Sequence, residues 1–143
     1  IRDREKGMYV SRIDGDIYTY DIRMKKPNNG DYISNGALHT FEHLFATYAR
    51  NSEYADSVIY VGPMGCRTGF YLLLRSNVKK SEALSLVRKA FEFIVNFEGE
   101  IPGSKRQECG NYKEHDLLGA KGIAADMLNV LSEKTEADMV YAE

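Results

Sequence analysis

The first part of the chain alternates apolar and polar residues with the period of two that half-buried β-strands show. Residues 8–12 and 17–24 carry this alternation on either side of Asp14-Gly15, a frequent hairpin turn. In the second segment the alternation assigns Tyr18, Tyr20, Ile22 and Met24 to one face and Thr19, Asp21 and Arg23 to the other. The pattern therefore predicts an antiparallel hairpin with one apolar face.

Three later segments have apolar residues at helical spacing. The first helix is predicted over residues 36–50, with Ser34 or Asn35 as its cap. Ser81 is expected to cap the second helix, and the third follows a loop over residues 101–112. The three apolar stripes are Ala37, Leu38, Phe41, Leu44, Phe45 and Tyr48; Leu84, Val87, Phe91, Ile94 and Val95; and Leu117, Ala120, Ala124, Met127, Leu128 and Leu131.

Two short strands are predicted between the first two helices. Residues 57–61 are rich in β-branched side chains, residues 70–74 are almost wholly apolar, and a glycine-rich turn joins them. Strands that pair as hairpins and helices that bury one stripe indicate an α+β fold, with helices packed against a mostly antiparallel sheet. One domain over residues 1–143 is the expected organisation.

Composition narrows the classes of function and location. With 43% hydrophobic residues, 28% charged residues and a net charge of -2, the chain is an ordinary globular protein without the basic surface that nucleic acids or acidic membranes attract. Two cysteines in 143 residues indicate a reducing compartment, so a cytoplasmic location is expected. The first residues are polar and carry no apolar signal-peptide core. The chain begins with Ile1 rather than Met, so we expect a truncated N-terminus.

The string His39-Thr40-Phe41-Glu42-His43 carries the strongest chemical signal. Residues four apart on a helix share a face, so both imidazoles can reach one cation. Glu42 lies near enough to handle a proton at the same place, and H-x-x-E-H is a recognised metal signature. The alternative is an ordinary helix surface with two chance histidines.

A third metal ligand has several candidates: Cys109, Cys66, His115 and several acids. Cys109 lies in a polar loop, which favours a ligand over a buried apolar role. Two imidazoles and a thiolate suit zinc or ferrous iron. His115 is expected at the surface or as a cap.

Cys66 lies in Pro63-Met64-Gly65-Cys66-Arg67-Thr68-Gly69, where glycines let the backbone approach a ligand closely. A neighbouring cation or a metal would lower the pKa of its thiol and make it a base or nucleophile. The alternative is a buried cysteine at a strand turn. For Asp21 and Arg23, a solvated or cross-strand ion pair is the commoner role.

Together these motifs resemble S-ribosylhomocysteine lyase, the LuxS family of autoinducer-2 synthases. The matching strings are Tyr20-Asp21-Ile22-Arg23, His39-Thr40-Phe41-Glu42-His43-Leu44, Pro63 to Gly69, and Glu108-Cys109-Gly110. The order and approximate spacing of these strings agree with those of the family, and the resemblance covers nearly the whole chain.

The resemblance implies that His39, His43 and Cys109 bind the metal, which is ferrous iron in the family, with zinc or cobalt tolerated and no organic cofactor. It implies Cys66 and Glu42 as the general acid and base, and Arg23 with Asp21 at the substrate. It also implies a homodimer with active sites at the subunit interface.

One departure from the family concerns the first residues. The family places a substrate-contacting serine and an Asp-His pair before the segment that matches residues 8–10, whereas residues 1–7 hold neither serine nor histidine. Two other classes share part of the signal: a metallopeptidase with an inverted zincin motif, and a non-catalytic domain whose zinc is held by His39, His43, Cys109 and Cys66.

Overall fold

The elements of the chain follow one another as a hairpin, a helix, a second hairpin and two further helices. The computed structural model describes residues 6–24, 33–98 and 116–139. Within these ranges the elements are β1 (Gly7–Asp14), β2 (Ile17–Arg23), α1 (Asn35–Arg50), β3 (Val58–Pro63), β4 (Gly69–Arg75), α2 (Lys80–Asn96) and α3 (Leu117–Leu131). Short 3₁₀ turns cover Ala55–Ser57 and Glu136–Met139. Residues 25–32 and the whole of the predicted loop over residues 101–112 lie outside the described residues.

The four strands form one antiparallel sheet in the order β1-β2-β4-β3. The predicted hairpin is present: Asp14 pairs with Ile17, and Gly15 takes the left-handed backbone conformation that the turn needs (φ 61°). The α+β class with a mostly antiparallel sheet is therefore confirmed, and all strand pairs described are antiparallel.

One face of the sheet packs against the helices. Alternate residues of β2 and β4 point into this core, and Tyr20, Ile22, Phe70, Leu72 and Leu74 are fully buried. Aromatic rings join the layers: Phe41 of α1 lies 5.1 Å from Phe70 and 5.2 Å from Phe91 of α2, measured between ring centroids. These contacts fix α1 over the sheet with its apolar side turned toward the core.

The helix caps agree with the sequence at α1 and differ at α2. Ser34 caps α1 as predicted, since its hydroxyl accepts a hydrogen bond from the N–H of Ala37. Ser81 is not the cap of α2, so that prediction is wrong. The cap is Lys79, whose N–H donates to the Glu82 carboxylate at 2.8 Å. The helix therefore has its N-cap at Lys79, two residues before Ser81, and the Glu82 side chain accepts the hydrogen bond at that start.

α3 packs beside both other helices and begins at a side-chain cap. The carboxylate of Asp116 accepts a hydrogen bond from the N–H of Gly119 at 2.9 Å. The predicted stripe holds, because Ala120, Ala124, Met127 and Leu131 are fully buried. Across residues 6–24, 33–98 and 116–139, no helix is long and apolar enough to cross a bilayer.

Gly69 is the first residue of β4, and it pairs with Arg23, the last residue of β2. A Cβ at this position would collide with the carbonyl oxygen of Ile22. We therefore expect Gly69→Ala to lower the free energy of unfolding by about 1–3 kcal/mol. Urea unfolding followed by circular dichroism measures the loss.

Gly65 provides the matched control, because a Cβ there would meet no atom within 4 Å. Gly65→Ala is expected to change the free energy of unfolding by less than about 0.5 kcal/mol. Equal stability of the Gly69→Ala protein and the wild type would contradict this close approach of β4 to Ile22 in β2.

Candidate functional site

The two histidines of the H-x-x-E-H string lie one helical turn apart on α1. Their ring centroids are 4.6 Å apart, and the rings are inclined at 72° to each other. Both residues are half-buried, as is Glu42 between them. The structure thus brings His39 and His43 to one place on the helix, as the spacing predicts.

Cys109, the expected third ligand, lies outside the described residues, and so does His115. Among the residues that the structure does describe, no three His, Cys, Asp or Glu side chains lie together as a group able to hold a metal ion. What is seen is a pair of imidazoles on a half-buried helix face.

Thr40 fixes the surroundings of the histidine pair. Its side chain is fully buried, and its hydroxyl accepts a hydrogen bond from the N–H of Asp116 at 2.7 Å. Asp116 is also the cap of α3, so this one bond ties the start of α3 to the turn of α1 that carries His39 and His43. The sequence analysis did not single out Thr40, although its place between two candidate ligands was a signal.

Cys66 lies in a tight turn between β3 and β4. The N–H of Arg67 donates to the carbonyl of Met64, and the N–H of Met64 donates to the carbonyl of Gly69, both at 2.9 Å. Arg67 takes a left-handed backbone conformation with φ 58°, which is uncommon for a residue other than glycine. Cys66 is exposed, so the alternative of a buried cysteine is wrong.

Three contacts join this turn to its neighbours. The N–H of Ile33 donates to the carbonyl of Arg67 at 2.8 Å, and the Arg67 guanidinium donates to the side-chain oxygen of Asn35 at 2.7 Å. Met24, at the end of β2, donates its N–H to the carbonyl of Thr68. The Cys66 turn is therefore attached to the start of α1, the helix that carries both histidines.

The thiol of Cys66 has a polar neighbour and a cation near it. Its sulfur lies 2.8 Å from the Thr68 hydroxyl, and the Arg23 guanidinium lies 3.4 Å from the same hydroxyl. Although the residue is exposed, its neighbours withdraw part of the sulfur from water; this partial burial raises the pKa of the Cys66 thiol and is the largest single influence on it. Hydrogen bonds from Thr68 and the charge of Arg23 together outweigh that effect, so the pKa is lower than usual.

Asp21 and Arg23 form an ion pair along β2, with Arg23 Nη2 3.5 Å from Asp21 Oδ2. The side chains are 5% and 12% exposed respectively. The expectation of a solvated or cross-strand pair is wrong, because the partners lie two residues apart on one strand and are nearly buried. The pair places the guanidinium beside Thr68 and Cys66, on the sheet face opposite the core.

Thr68 is the second residue of this site that the sequence analysis did not single out. It is 4% exposed, and its hydroxyl lies between Cys66 and Arg23. A signal was present, because Thr68 follows Cys66 by two positions inside the glycine-bounded string. The contact with Arg23 had no sequence signal, since it joins residues far apart in the chain.

The chain resembles known proteins over nearly its whole length. The model of the family S-Ribosylhomocysteinase (LuxS) matches residues 5–138. The S-ribosylhomocysteine lyase of Phocaeicola vulgatus is 45% identical over 141 residues, covering 95% of this chain and 88% of that protein. The protein of the same name from Clostridium beijerinckii is 45% identical, covering 94% and 89%, and that from Porphyromonas gingivalis is 44% identical, covering 97% and 91%.

These matches run through the Cys66 turn, the histidine pair and the Asp21–Arg23 strand, all of which lie within the matched residues. Identity near 45% over more than nine-tenths of the chain is well above what a shared fold alone produces. The chain therefore belongs to the S-ribosylhomocysteinase (LuxS) family.

Proposed function

We propose that the chain cleaves the thioether of S-ribosylhomocysteine, with Cys66 and Glu42 moving the protons. The products are homocysteine and 4,5-dihydroxy-2,3-pentanedione, the precursor of autoinducer-2. Membership of the family makes the chain an enzyme of the lyase class. The single observation that carries the proposal is an exposed thiol with a lowered pKa, held beside Thr68 and Arg23.

The chemistry of the substrate explains why such a thiol is needed. The sulfur of S-ribosylhomocysteine lies too far from the sugar aldehyde to be expelled directly. Two isomerisations must first move the carbonyl along the sugar until the sulfur is β to it, and elimination then breaks the carbon–sulfur bond. Each isomerisation takes a proton from one carbon and delivers a proton to its neighbour, so it requires a base and an acid.

Cys66 and Glu42 fill these two roles in our proposal. A thiol whose pKa is lowered spends more of its time as thiolate near neutral pH, which is the form that removes a proton. Glu42 projects from α1, the helix whose start is tied to the Cys66 turn through Ile33 and Asn35. The two groups therefore come from elements that are fixed to one another.

The metal of this metal-dependent family would be held by His39 and His43 together with Cys109. The fit rests on the donor set: two imidazoles 4.6 Å apart on a half-buried face suit a first-row divalent ion. When bound, such an ion acts as a Lewis acid toward the oxygens of the substrate. We propose ferrous iron as the ion, with zinc or cobalt accepted in its place and no organic cofactor.

The length of chain supports Cys109 as the third ligand. It precedes Asp116 by seven positions, and the N–H of Asp116 is held on Thr40, beside His39. At 3.3–3.6 Å per residue, seven positions span at most about 25 Å. Cys109 is thus tethered within reach of the histidine pair.

The remaining parts of the proposal concern the substrate site and the assembly. Arg23, oriented by Asp21, supplies a cation for the polar groups of the substrate. We further propose that residues 1–143 act as one catalytic domain, that the protein is a cytoplasmic homodimer, and that its active sites lie at the subunit interface. A thiolate base and a thiolate ligand both favour a reducing compartment.

Release of homocysteine tests the proposal directly. The protein is loaded with ferrous iron without oxygen and given S-ribosylhomocysteine, and free thiol is followed with a chromogenic reagent. We expect turnover that a chelator abolishes and added iron restores. Absence of thiol release from the folded, iron-loaded protein would contradict the proposal, and peptide cleavage or a zinc ion without exchangeable water would then indicate the metallopeptidase or the structural-zinc class.

A further inference from the structure

We infer that Thr68 is a positioning residue, whose hydroxyl donates a hydrogen bond to the Cys66 sulfur and fixes it in the orientation that the base requires. The inference deepens the proposed function and rests on the role given there to Cys66. Thr68 itself need not touch the substrate. Its hydroxyl lies 2.8 Å from the sulfur.

The direction of this hydrogen bond follows from the charge of the thiolate and the neighbours of the hydroxyl. A threonine hydroxyl has one proton to donate and two lone pairs to accept with. The guanidinium of Arg23 has only donors, so at 3.4 Å it uses one lone pair of the hydroxyl oxygen. The thiolate form of Cys66 has no proton to give, so toward it the hydroxyl can only donate, and its sulfur at 2.8 Å is far nearer than that of Met64 at 3.9 Å.

The hydroxyl has little freedom to turn away. Thr68 is 4% exposed, and its backbone carbonyl is held by the N–H of Met24 at 2.9 Å. Arg23 in turn is held by the nearly buried Asp21. Charge and hydrogen bonds therefore run from a buried carboxylate through Arg23 and Thr68 to an exposed sulfur, and each group is fixed by the one before it.

A donated hydrogen bond stabilises the thiolate more than the thiol, because the charged sulfur is the stronger acceptor. Thr68 therefore contributes to the lowered pKa of Cys66. Loss of the hydroxyl raises that pKa, so the thiolate population falls at any pH near or below the new value. The reaction rate of Cys66 with an alkylating reagent reports this population without requiring substrate turnover.

The test measures alkylation of Cys66 by iodoacetamide from pH 5 to 10 in the metal-loaded protein. Peptide mass spectrometry separates Cys66 from Cys109. For Thr68→Val, which keeps the branched shape, we expect alkylation at pH 7 about tenfold slower, which corresponds to a midpoint raised by about one pH unit. Thr68→Ser, which restores the hydroxyl, should react within about twofold of the wild type.

Thr19→Val provides the matched control. Thr19 lies on the same strand and face as Arg23, four positions earlier, and the alkylation profile of its variant should equal that of the wild type. In steady-state turnover, Thr68→Val should lower kcat and leave KM within about twofold, because a positioning residue acts on the base rather than on substrate binding.

Two results would overturn the inference. One is a Thr68→Val profile identical to that of the wild type; Thr68→Ala gives the same comparison if the valine protein does not fold. The other needs no variant: a wild-type midpoint at the ordinary cysteine value of about 8.5. A shifted profile in a protein that releases no homocysteine would support the role of Thr68 and contradict the lyase, so the two failures are distinguishable.

Discussion

Replacement of Cys66 by alanine is expected to lower homocysteine release by about 10³-fold while the fold and the metal content stay unchanged. The thiol is exposed and lies in a surface turn, so its removal opens no cavity in the core. The turn is held by backbone bonds from Met64 and Arg67 that do not involve the sulfur. The variant loses the group that we propose as base, so the proton transfers of the reaction should be slowed.

The measurement is kcat for thiol release, with metal content determined by elemental analysis on the same samples. Cys66→Ser is the matched variant, because it keeps the size and the hydrogen bond to Thr68 but replaces an acidic thiol by a weakly acidic hydroxyl. It should be nearly as inactive as Cys66→Ala. Near-normal turnover in either variant would remove Cys66 from the catalytic residues.

Replacement of His43 by alanine is expected to lower metal affinity by more than about 100-fold and to abolish turnover with it. The magnitude exceeds the 10–100-fold that removal of an outer hydrogen-bond partner of a ligand costs, since here a ligand itself is lost. His39→Ala should behave alike, because the two rings lie 4.6 Å apart on one face of α1. Metal analysis after dialysis against a weak chelator measures the effect.

Two control variants separate metal binding from catalysis and from helix stability. Glu42→Gln keeps a side chain of the same size and should retain the metal while losing turnover, because the amide cannot exchange a proton as the carboxyl does. Thr47 lies one turn beyond His43 on α1, and the Thr47→Ala protein should retain both the metal and turnover. Full metal occupancy in the His43→Ala protein would exclude His43 as a ligand.

Much of the fold could be predicted from local pattern. The alternation over residues 17–24 and the Asp14-Gly15 turn predict β1 and β2, and the apolar stripes predict α1, α2 and α3. These features depend on residues close together in the chain, where period and turn chemistry act directly. The cap of α2 differs from the prediction because the Glu82 carboxylate reaches back to the N–H of Lys79, so the helix begins before Ser81.

The features of the candidate site likewise divide into those that the sequence predicts and those that it does not. The pairing of His39 with His43 is a property of one helix, and the sequence alone determined it. The sequence also placed Cys66 in a glycine-bounded turn and Arg23 on a polar strand face, and the family resemblance joined these motifs into one chemistry. Each of these features can be read within a few neighbouring residues.

Only the tertiary structure decided how these motifs touch. The contact between Arg23 and Thr68 spans 45 positions, and the bond between Asp116 and Thr40 spans 76. The burial of the Asp21–Arg23 pair likewise depends on what the folded chain packs around it. The physical reason is that hydrogen-bond partners and burial are set by groups brought together from distant parts of the chain, whereas period, caps and turns are set by neighbours along it.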